Sequence, residues 1–320
     1  MPILDMPLEK LKVYEGRNPR PADIDEFWDK SIAEMEALGT GFELVKADFQ
    51  VPGVQCWDMF FTGMKGARIH CKFVRPEKVD KPLPGLCIFH GYSGRSPDFF
   101  DLLSYVQAGF IVAAMDCRGQ AGQSVDVGGV CGNTLHGQII RGLEEKDPTK
   151  LLFRDIYLDC AQLARIMMAM PEVDEKRVSA RGGSQGGGLT LACAALTPNL
   201  FRAAPTFPFL CDYKRVWEMD LAKDAYKELR EYFRNFDPLH EREEEIFTLL
   251  GYIDNQHMAH RIKAEVLMFT GLMDNICPPS TQFAAFNKMT CKKDVVIYPD
   301  FGHEGLPYSA NKAVAFLMKE

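Results

Sequence analysis

The sequence predicts an α/β fold: a mostly parallel central sheet with helices on both faces. Two features carry that prediction. From about residue 69 onward, short runs rich in Val, Ile and Phe alternate with longer segments of helical spacing, and several of the short runs close at glycine turns. With 47% hydrophobic and 25% charged residues over 320 positions, the chain also holds ample apolar material for the core such a sheet needs.

Taken in order, residues 84–90 form a short apolar run ending at a Gly turn, and 99–107 have helical spacing that stops before Gly109. A second strand at 110–116 is closed by Arg118-Gly119, and a helix over 154–170 is ended by Pro171. Residues 177–182 are of strand length and 186–196 continue as a helix. The alternation resumes with a strand at 264–270, a helix near 280–288, a strand at 294–298 and a last helix from about 309 to 318. It breaks between about 211 and 260, where Trp217, Tyr226, Tyr232 and Phe233 are interleaved with charges. That stretch reads as helices inserted over the sheet as a cap, with Glu241-Arg242-Glu243-Glu244-Glu245 forming a solvated helix face. Residues 1–68 read as an N-terminal extension, with one helix from about 21 to 37 and extended segments after it. The expectation is one domain over 1–320.

Composition excludes several functions. The formal net charge is −7 and no run of Lys or Arg stands out, so a nucleic-acid partner is not expected. Acidic residues and two prolines interrupt the first ten positions, where a signal peptide needs an apolar stretch. The longest apolar run, 110–115, is far short of the roughly 20 residues of a membrane helix. The expectation is a cytoplasmic protein with no membrane partner. The ten cysteines form no Cys-x-x-Cys pair and mostly sit in apolar segments, as reduced packing residues do.

The strongest chemical signal is Gly182-Gly183-Ser184-Gln185-Gly186, which follows a strand candidate and opens a helix candidate. This is the nucleophile-elbow pattern of the α/β-hydrolase fold: a sharp turn presents Ser184, flanked by small residues that let backbone segments approach. The helix that follows aims its positive end at the developing oxyanion. Arg181, a charge just before the elbow where a buried strand usually stays apolar, has no account in the sequence beyond an unseen ion pair.

A serine needs a histidine to take its proton and an acid to orient that histidine, and in this fold the chain order is Ser, acid, His. Of seven histidines, His240, His257, His260 and His303 follow Ser184. His303 lies in a Gly-containing loop directly after the strand at 294–298, the position the fold requires. His257 and His260 lie in the cap and read as surface or packing residues. Pro307 stands where a zinc-protease helix would place its second histidine, so neither metal nor cofactor is expected. Asp274, after the penultimate strand, is the preferred acid. Asp300 is so close to His303 that both would have to fold back within one loop, and Asp254 lies in the cap. For the oxyanion hole, one donor is the backbone N–H of Gln185. The second is that of Tyr92 in His90-Gly91-Tyr92-Ser93-Gly94, whose ring would also wall the acyl pocket.

The chain resembles the acetyl xylan esterase/cephalosporin C deacetylase family, the seventh family of carbohydrate esterases. The resemblance rests on Arg118-Gly119-Gln120, Gly182-Gly183-Ser184-Gln185-Gly186-Gly187 and His303-Glu304, in order and in register. His90-Gly91-Tyr92, the start of the 154–159 helix and the stretch from Gly271 to Pro279 support it. Ser93 and Arg95-Ser96-Pro97 depart from the Asn- and Gly-richer loop of the family. The resemblance implies a serine esterase acting on O-acetyl groups of short xylo-oligosaccharides and on small acetyl esters, including cephalosporin C. It also implies an acetyl-enzyme on Ser184, an intracellular location, and a homohexameric ring with inward-facing sites. Arg118 and Gln120 would then be structural supports of the site. The rival readings are a serine peptidase of the same fold and a non-catalytic hydrolase-like binding protein. The peptidase would ordinarily carry an additional large domain, and the binding protein would lack a triad member.

Overall fold

The computed structural model describes residues 4–127 and 135–319. The N-terminal half runs α1 (Leu8–Leu11), α2 (Ile24–Glu36), β1 (Phe42–Lys46), β2 (Val54–Thr62), β3 (Arg68–Pro76), β4 (Leu83–Phe89), α3 (Phe99–Gln107), β5 (Ile111–Met115) and α4 (Leu152–Ala169). It continues with β6 (Val173–Gly183), α5 (Gln185–Leu196), β7 (Arg202–Thr206), α6 (Tyr213–Glu218), α7 (Lys227–Phe236), α8 (Glu243–Gly251) and α9 (Asn255–Met258). The chain ends with β8 (Glu265–Gly271), α10 (Pro279–Lys288), β9 (Lys293–Tyr298) and α11 (Ser309–Met318). The predicted elements from residue 84 onward are present, with ends that move by a few residues.

The strands form one nine-stranded sheet in the order β1-β2-β3-β5-β4-β6-β7-β8-β9. Pairings from β5 through β4 to β9 are parallel, whereas β1, β2 and β3 form an antiparallel edge joined antiparallel to β5. The extended segments between 42 and 62 therefore continue the same sheet. Strand β7 carries no strong apolar signature, since alanine and proline are poor strand formers. Its neighbours β6 and β8 impose the conformation, and its ladder to β8 is interrupted between Ala203 and Thr206, around Pro205.

Alternation within the strands assigns the two faces. Leu86 and Ile88 of β4 pack with Val112 and Ala114 of β5 in the core shared with α3 and α11. Cys87 and Phe89 face the other way, with Ala113 and Met115, into the core formed with α2, α4 and α5. Helix α5 is buried along its whole length, so its sequence is apolar all round instead of amphipathic. Among the described residues no helix is long and apolar enough to cross a membrane. The nine described cysteines are free, eight of them buried, and Cys131 lies outside the described residues. Burial raises the pKa of each of the buried eight.

Between β7 and β8 the chain is helical, with α6 to α9 and 3-10 turns at Asp224–Tyr226 and Ala259–Arg261. The charge run there is less free than a solvated face. Glu243, Glu244 and Glu245 form the acidic first turn of α8, where the helix dipole favours them, and Arg242 reaches back to Glu144 at 3.1 Å. Arg181 also differs from the expectation of an ion pair. It donates to the Tyr105 hydroxyl of α3 at 2.6 Å and lies over that ring, 5.3 Å from its centroid. An aromatic face and a hydroxyl do the work assigned to an acid.

The connection from β4 through α3 places β5 on one side of β4, and the next, through α4, places β6 on the other. The crevice at this switch lies outside the carboxyl ends of β4 and β6, where ligands bind in open α/β sheets. Ser184 stands there, one residue past β6, at φ 58° and ψ −121°. That backbone costs on the order of 1–3 kcal/mol for a residue with a side chain. Its own hydrogen bonds hold it: the N–H donates to Thr206 O at 3.0 Å, and the carbonyl accepts from Gly188 at 3.1 Å and Phe209 at 3.0 Å. A Cβ on Gly186 would lie 2.1 Å from Phe89 O, and one on Gly182 would lie 2.6 Å from the same oxygen. Gly183 has room, since its Cβ would meet the Phe207 ring at 3.5 Å. The two outer glycines are thus required by the approach of β4, and the inner one is not. Gly186→Ala is expected to lower unfolding stability by at least about 1–3 kcal/mol, as overpacking does. Gly183→Ala should stay within about 0.5 kcal/mol of the parent. Urea unfolding midpoints of the two variants check the contrast, and equal losses would refute it.

Candidate active site

Three loops meet at the carboxyl edge of the sheet. The elbow presents Ser184, the loop after β8 presents Asp274, and the loop after β9 presents His303. The last two are joined by backbone bonds, Leu272 N–H to Tyr298 O at 3.0 Å and Met273 N–H to Phe301 O at 3.0 Å. Gly271 permits this, because a Cβ there would lie 2.3 Å from Phe301 O. The side chain of Glu304 turns back to accept from Gly302 N–H at 3.0 Å, which tightens the turn that carries His303.

The three expected residues lie in one hydrogen-bonded line. Asp274 Oδ2 is 2.8 Å from His303 Nδ1, and His303 Nε2 is 3.0 Å from Ser184 Oγ. Asp274 is fully buried, and its other oxygen accepts from the N–H groups of Ile276 at 2.9 Å and Cys277 at 2.8 Å. A buried carboxylate supplied with three donors is held in one orientation. With Asp274 accepting at Nδ1, that nitrogen carries the proton and Nε2 is left with its lone pair towards Ser184. Asp300 is exposed in the turn after β9, and Asp254 instead caps α9 by accepting from Gln256 N–H at 3.0 Å. His257 is buried, and burial lowers its pKa to about 4, so it is a neutral packing residue; His260 pairs with Asp25 at 2.9 Å. The Phe207 ring packs 4.4 Å, centroid to centroid, from the His303 ring.

Asp274, Cys277 and His303 each bring one ligand-type atom within 4.8 Å of the others. Asp274 and His303 are committed to each other and to backbone donors, and burial raises the Cys277 thiol well above its ordinary pKa. The group is therefore arranged for proton transfer, not as a thiolate cage for a metal.

The loop after β4 lies against the elbow. His90 Nε2 accepts from Cys117 N–H at 2.9 Å, so Nδ1 carries the proton and donates to Gly91 O at 2.7 Å. Burial lowers the pKa of this ring, which is consistent with a neutral imidazole that shapes its own loop. Tyr92 is half-buried, with its ring edge-on to Phe209 at 5.6 Å. Gln185 is fully buried, and its side chain forms a reciprocal amide pair with Gln120: Gln120 Nε2 donates at 2.7 Å and Gln185 Nε2 donates back at 3.0 Å. The Arg-Gly-Gln element thereby touches the residue after the nucleophile. Arg118, fully buried, makes a two-pronged bond to Asp159 of α4 at 2.7 Å and 2.7 Å and donates to Met64 O at 3.0 Å. Burial alone would weaken its charge, but Asp159, Asp155 and Asp126 outweigh burial and raise its pKa.

One residue at this site carries no mark in the sequence reading. Glu228 of α7 is 3% exposed, and its carboxylate accepts from the Tyr92 hydroxyl and from Ile139 N–H at 2.7 Å and Ile140 N–H at 3.1 Å. In a charge-rich helix a single glutamate looks like a solvated one. The available signal is its spacing: Glu228 lies four residues before Tyr232, on the face where Leu229, Tyr232 and Phe233 are buried.

A family model for acetyl xylan esterase (AXE1) matches residues 1–320. The crystal structure of acetyl xylan esterase 1 from Thermoanaerobacterium sp. JW/SL YS485 superposes with a TM-score of 0.94 at 56% identity, covering 98% of each chain. The acetyl xylan esterase of Paenibacillus sp. R4 gives a TM-score of 0.91 at 36% identity, covering 98% of this chain and 99% of that one. Acetyl esterase Axe7A of Xylanibacter ruminicola is 26% identical over 298 residues, which are 91% of this chain and 64% of that protein. This chain thus spans less than two thirds of that curated relative's length. The match along the full chain, on an α/β-hydrolase sheet with helices on both faces, means that the protein belongs to the acetyl xylan esterase family and is a carboxylic ester hydrolase.

Proposed function

We propose that this protein removes O-acetyl groups from short xylo-oligosaccharides and small acetyl esters, cephalosporin C included, through an acetyl-enzyme on Ser184. The observation that carries this reading is the line of hydrogen bonds Asp274–His303–Ser184, at 2.8 and 3.0 Å. Ser184 Oγ attacks the acetyl carbonyl carbon as its proton passes to His303 Nε2. The carbonyl oxygen takes the negative charge and accepts from the N–H groups of Tyr92 and Gln185. Gln120 steadies Gln185, and Arg118 steadies the segment that carries Gln120. Asp274 stabilises the imidazolium without taking its proton. His303 then gives the proton to the sugar oxygen as the C–O bond breaks, leaving acetate esterified to Ser184. In the second half His303 takes a proton from water, the hydroxyl adds to the acetyl carbon, and the Ser184–acetyl bond breaks as His303 returns the proton to Ser184 Oγ, releasing acetic acid.

Ser184→Ala is expected to reduce turnover of p-nitrophenyl acetate by about a millionfold, as loss of a triad serine does, with the fold intact by circular dichroism. Near-parent turnover by the pure variant would refute the assignment. Asp274→Asn should lower turnover by about 10⁴-fold, because the amide favours the wrong imidazole tautomer, while Asp300→Asn should leave it near the parent value. The reverse order would transfer the orienting role to Asp300.

Discrimination by acyl size follows from the aromatic groups around Ser184, with Tyr92 on one wall and Phe207 against His303. Each methylene that cannot be seated costs roughly 1–3 kcal/mol, so initial rates should fall steeply from acetate to butyrate to octanoate esters. Equal rates across that series would remove the small acyl pocket. We further propose a homohexamer, on the resemblance stated above. The solution mass measures it directly, and a closed ring would deacetylate xylotriose acetate faster than intact acetylated xylan.

A further inference from the structure

The sheet edge and the cap meet at Glu228, a contact that the esterase mechanism above does not use. Glu228 Oε1 accepts from the Tyr92 hydroxyl, and Oε2 accepts from Ile139 N–H at 2.7 Å and Ile140 N–H at 3.1 Å. The same tyrosine oxygen accepts from Gln138 N–H at 3.3 Å. Three separate segments are tied at one carboxylate: the loop after β4, residues 138–140, and helix α7. The other side of the Tyr92 ring meets Phe209, which packs 4.3 Å from Tyr226, just before α7, and the Tyr226 hydroxyl accepts from Leu210 N–H at 3.2 Å. Tyr92 is thus gripped at its hydroxyl and at its ring by the region that opens α7.

These bonds come from neutral donors. Burial pushes the Glu228 carboxyl up to about 7, against the pull of the Tyr92, Ile140 and Ile139 hydrogen bonds. A buried acid held in this way is a costly choice for a mere filler. A glutamine would occupy the same volume without the charge, but its one oxygen would serve the two backbone N–H groups and its NH2 would face the Tyr92 oxygen, so the bond that the phenol donates is lost. Accepting from all three donors at once takes both oxygens of Glu228.

We propose that Glu228 is a positioning residue for the oxyanion hole, holding Tyr92 through its hydroxyl so that the Tyr92 backbone N–H meets the developing oxyanion. This rests on the assignment of that N–H as an oxyanion donor. Loss of one such donor costs about 10²–10³ in turnover, and a displacement of about 1 Å costs a comparable factor. A loosened Tyr92 should therefore lower kcat about tenfold to a hundredfold and leave KM nearly unchanged, because the contact strengthens only as charge develops.

The test is a double-mutant cycle of Glu228→Gln and Tyr92→Phe on p-nitrophenyl acetate hydrolysis, run beside the rate of Ser184 phosphonylation by a fluorophosphonate. Each single variant should lose kcat with KM unchanged. The double variant should lose clearly less than the product of the two, because both act through one bond. Multiplicative losses, an unchanged kcat in either single variant, or an effect confined to KM or to the melting temperature would overturn the proposal. If Glu228→Gln does not fold, Tyr92→Phe alone decides it: a kcat loss at constant KM is the expected result, and parent kcat overturns it. Failure of the esterase reading is distinguishable, since the parent enzyme would then not turn over the acetate. The phosphonylation rates, which need only the nucleophile and the oxyanion donors, still report whether the two substitutions slow the reaction through one bond.

Discussion

Ser184 can stand at the edge of the sheet because the strand before it and the helix after it pass the end of β4 with no side chain between them. Phe89 O occupies the space that a Cβ would take at both Gly182 and Gly186. That approach brings the start of α5 under the sheet edge and leaves Ser184 in a positive-φ conformation, held by backbone bonds on either side. The neighbouring glycines answer the same demand, since a Cβ on Gly187 would lie 2.6 Å from Thr206 O and one on Gly188 2.4 Å from Phe209 O. Glycines at a helix start weaken it by up to about 1 kcal/mol each, and burial of the whole of α5 offsets that weakness.

The rest of the site is arranged around this fixed point. Gly271 lets the loops after β8 and β9 join through backbone bonds, so Asp274 and His303 arrive as one unit. Behind the elbow, two buried polar pairs replace apolar packing. The Gln120–Gln185 amides satisfy each other and set the backbone after the nucleophile, and Arg118 pins the preceding strand's exit to Asp159 of α4. Buried pairs of this kind contribute little net stability, but breaking one leaves an unpaired charge or amide, at a cost of several kcal/mol for the ion pair. They specify one geometry instead of adding strength. Helix α7, between β7 and β8, reaches the loop after β4 through Glu228, whose carboxylate accepts from the Tyr92 hydroxyl.

The fold was legible where local pattern and final environment agree. Strands β4, β5 and β8 are short apolar runs because they are largely buried, and α3 and α11 show a helical period because one side faces solvent. Strand β7 was illegible because its residues are poor strand formers that the neighbouring strands hold extended. Strands β1 and β2 read only as extended segments because an antiparallel edge with one open side lacks the apolar continuity of the interior. Arg181 had no partner legible in the sequence for a similar reason, since the sequence shows a charge but not the Tyr105 side chain that receives it.

By itself the sequence determined the family, and it singled out Ser184 and His303 as the candidate nucleophile and base. An elbow, a strand-end loop and the order of residues are local features, written in glycine spacing and hydrophobic period. It favoured Asp274 as the acid, over Asp300 and Asp254, on chain order and strand-end placement. The tertiary structure adds the distance: Asp274 is buried and 2.8 Å from His303 Nδ1, whereas Asp300 is exposed. The structure alone also decided that Gln120 meets Gln185, that Arg118 meets Asp159 and that Glu228 meets Tyr92. These partners are separated by 65, 41 and 136 positions along the chain. No local period encodes such a pairing; it exists once the helices and strands that carry the two ends have packed and water has been excluded between them.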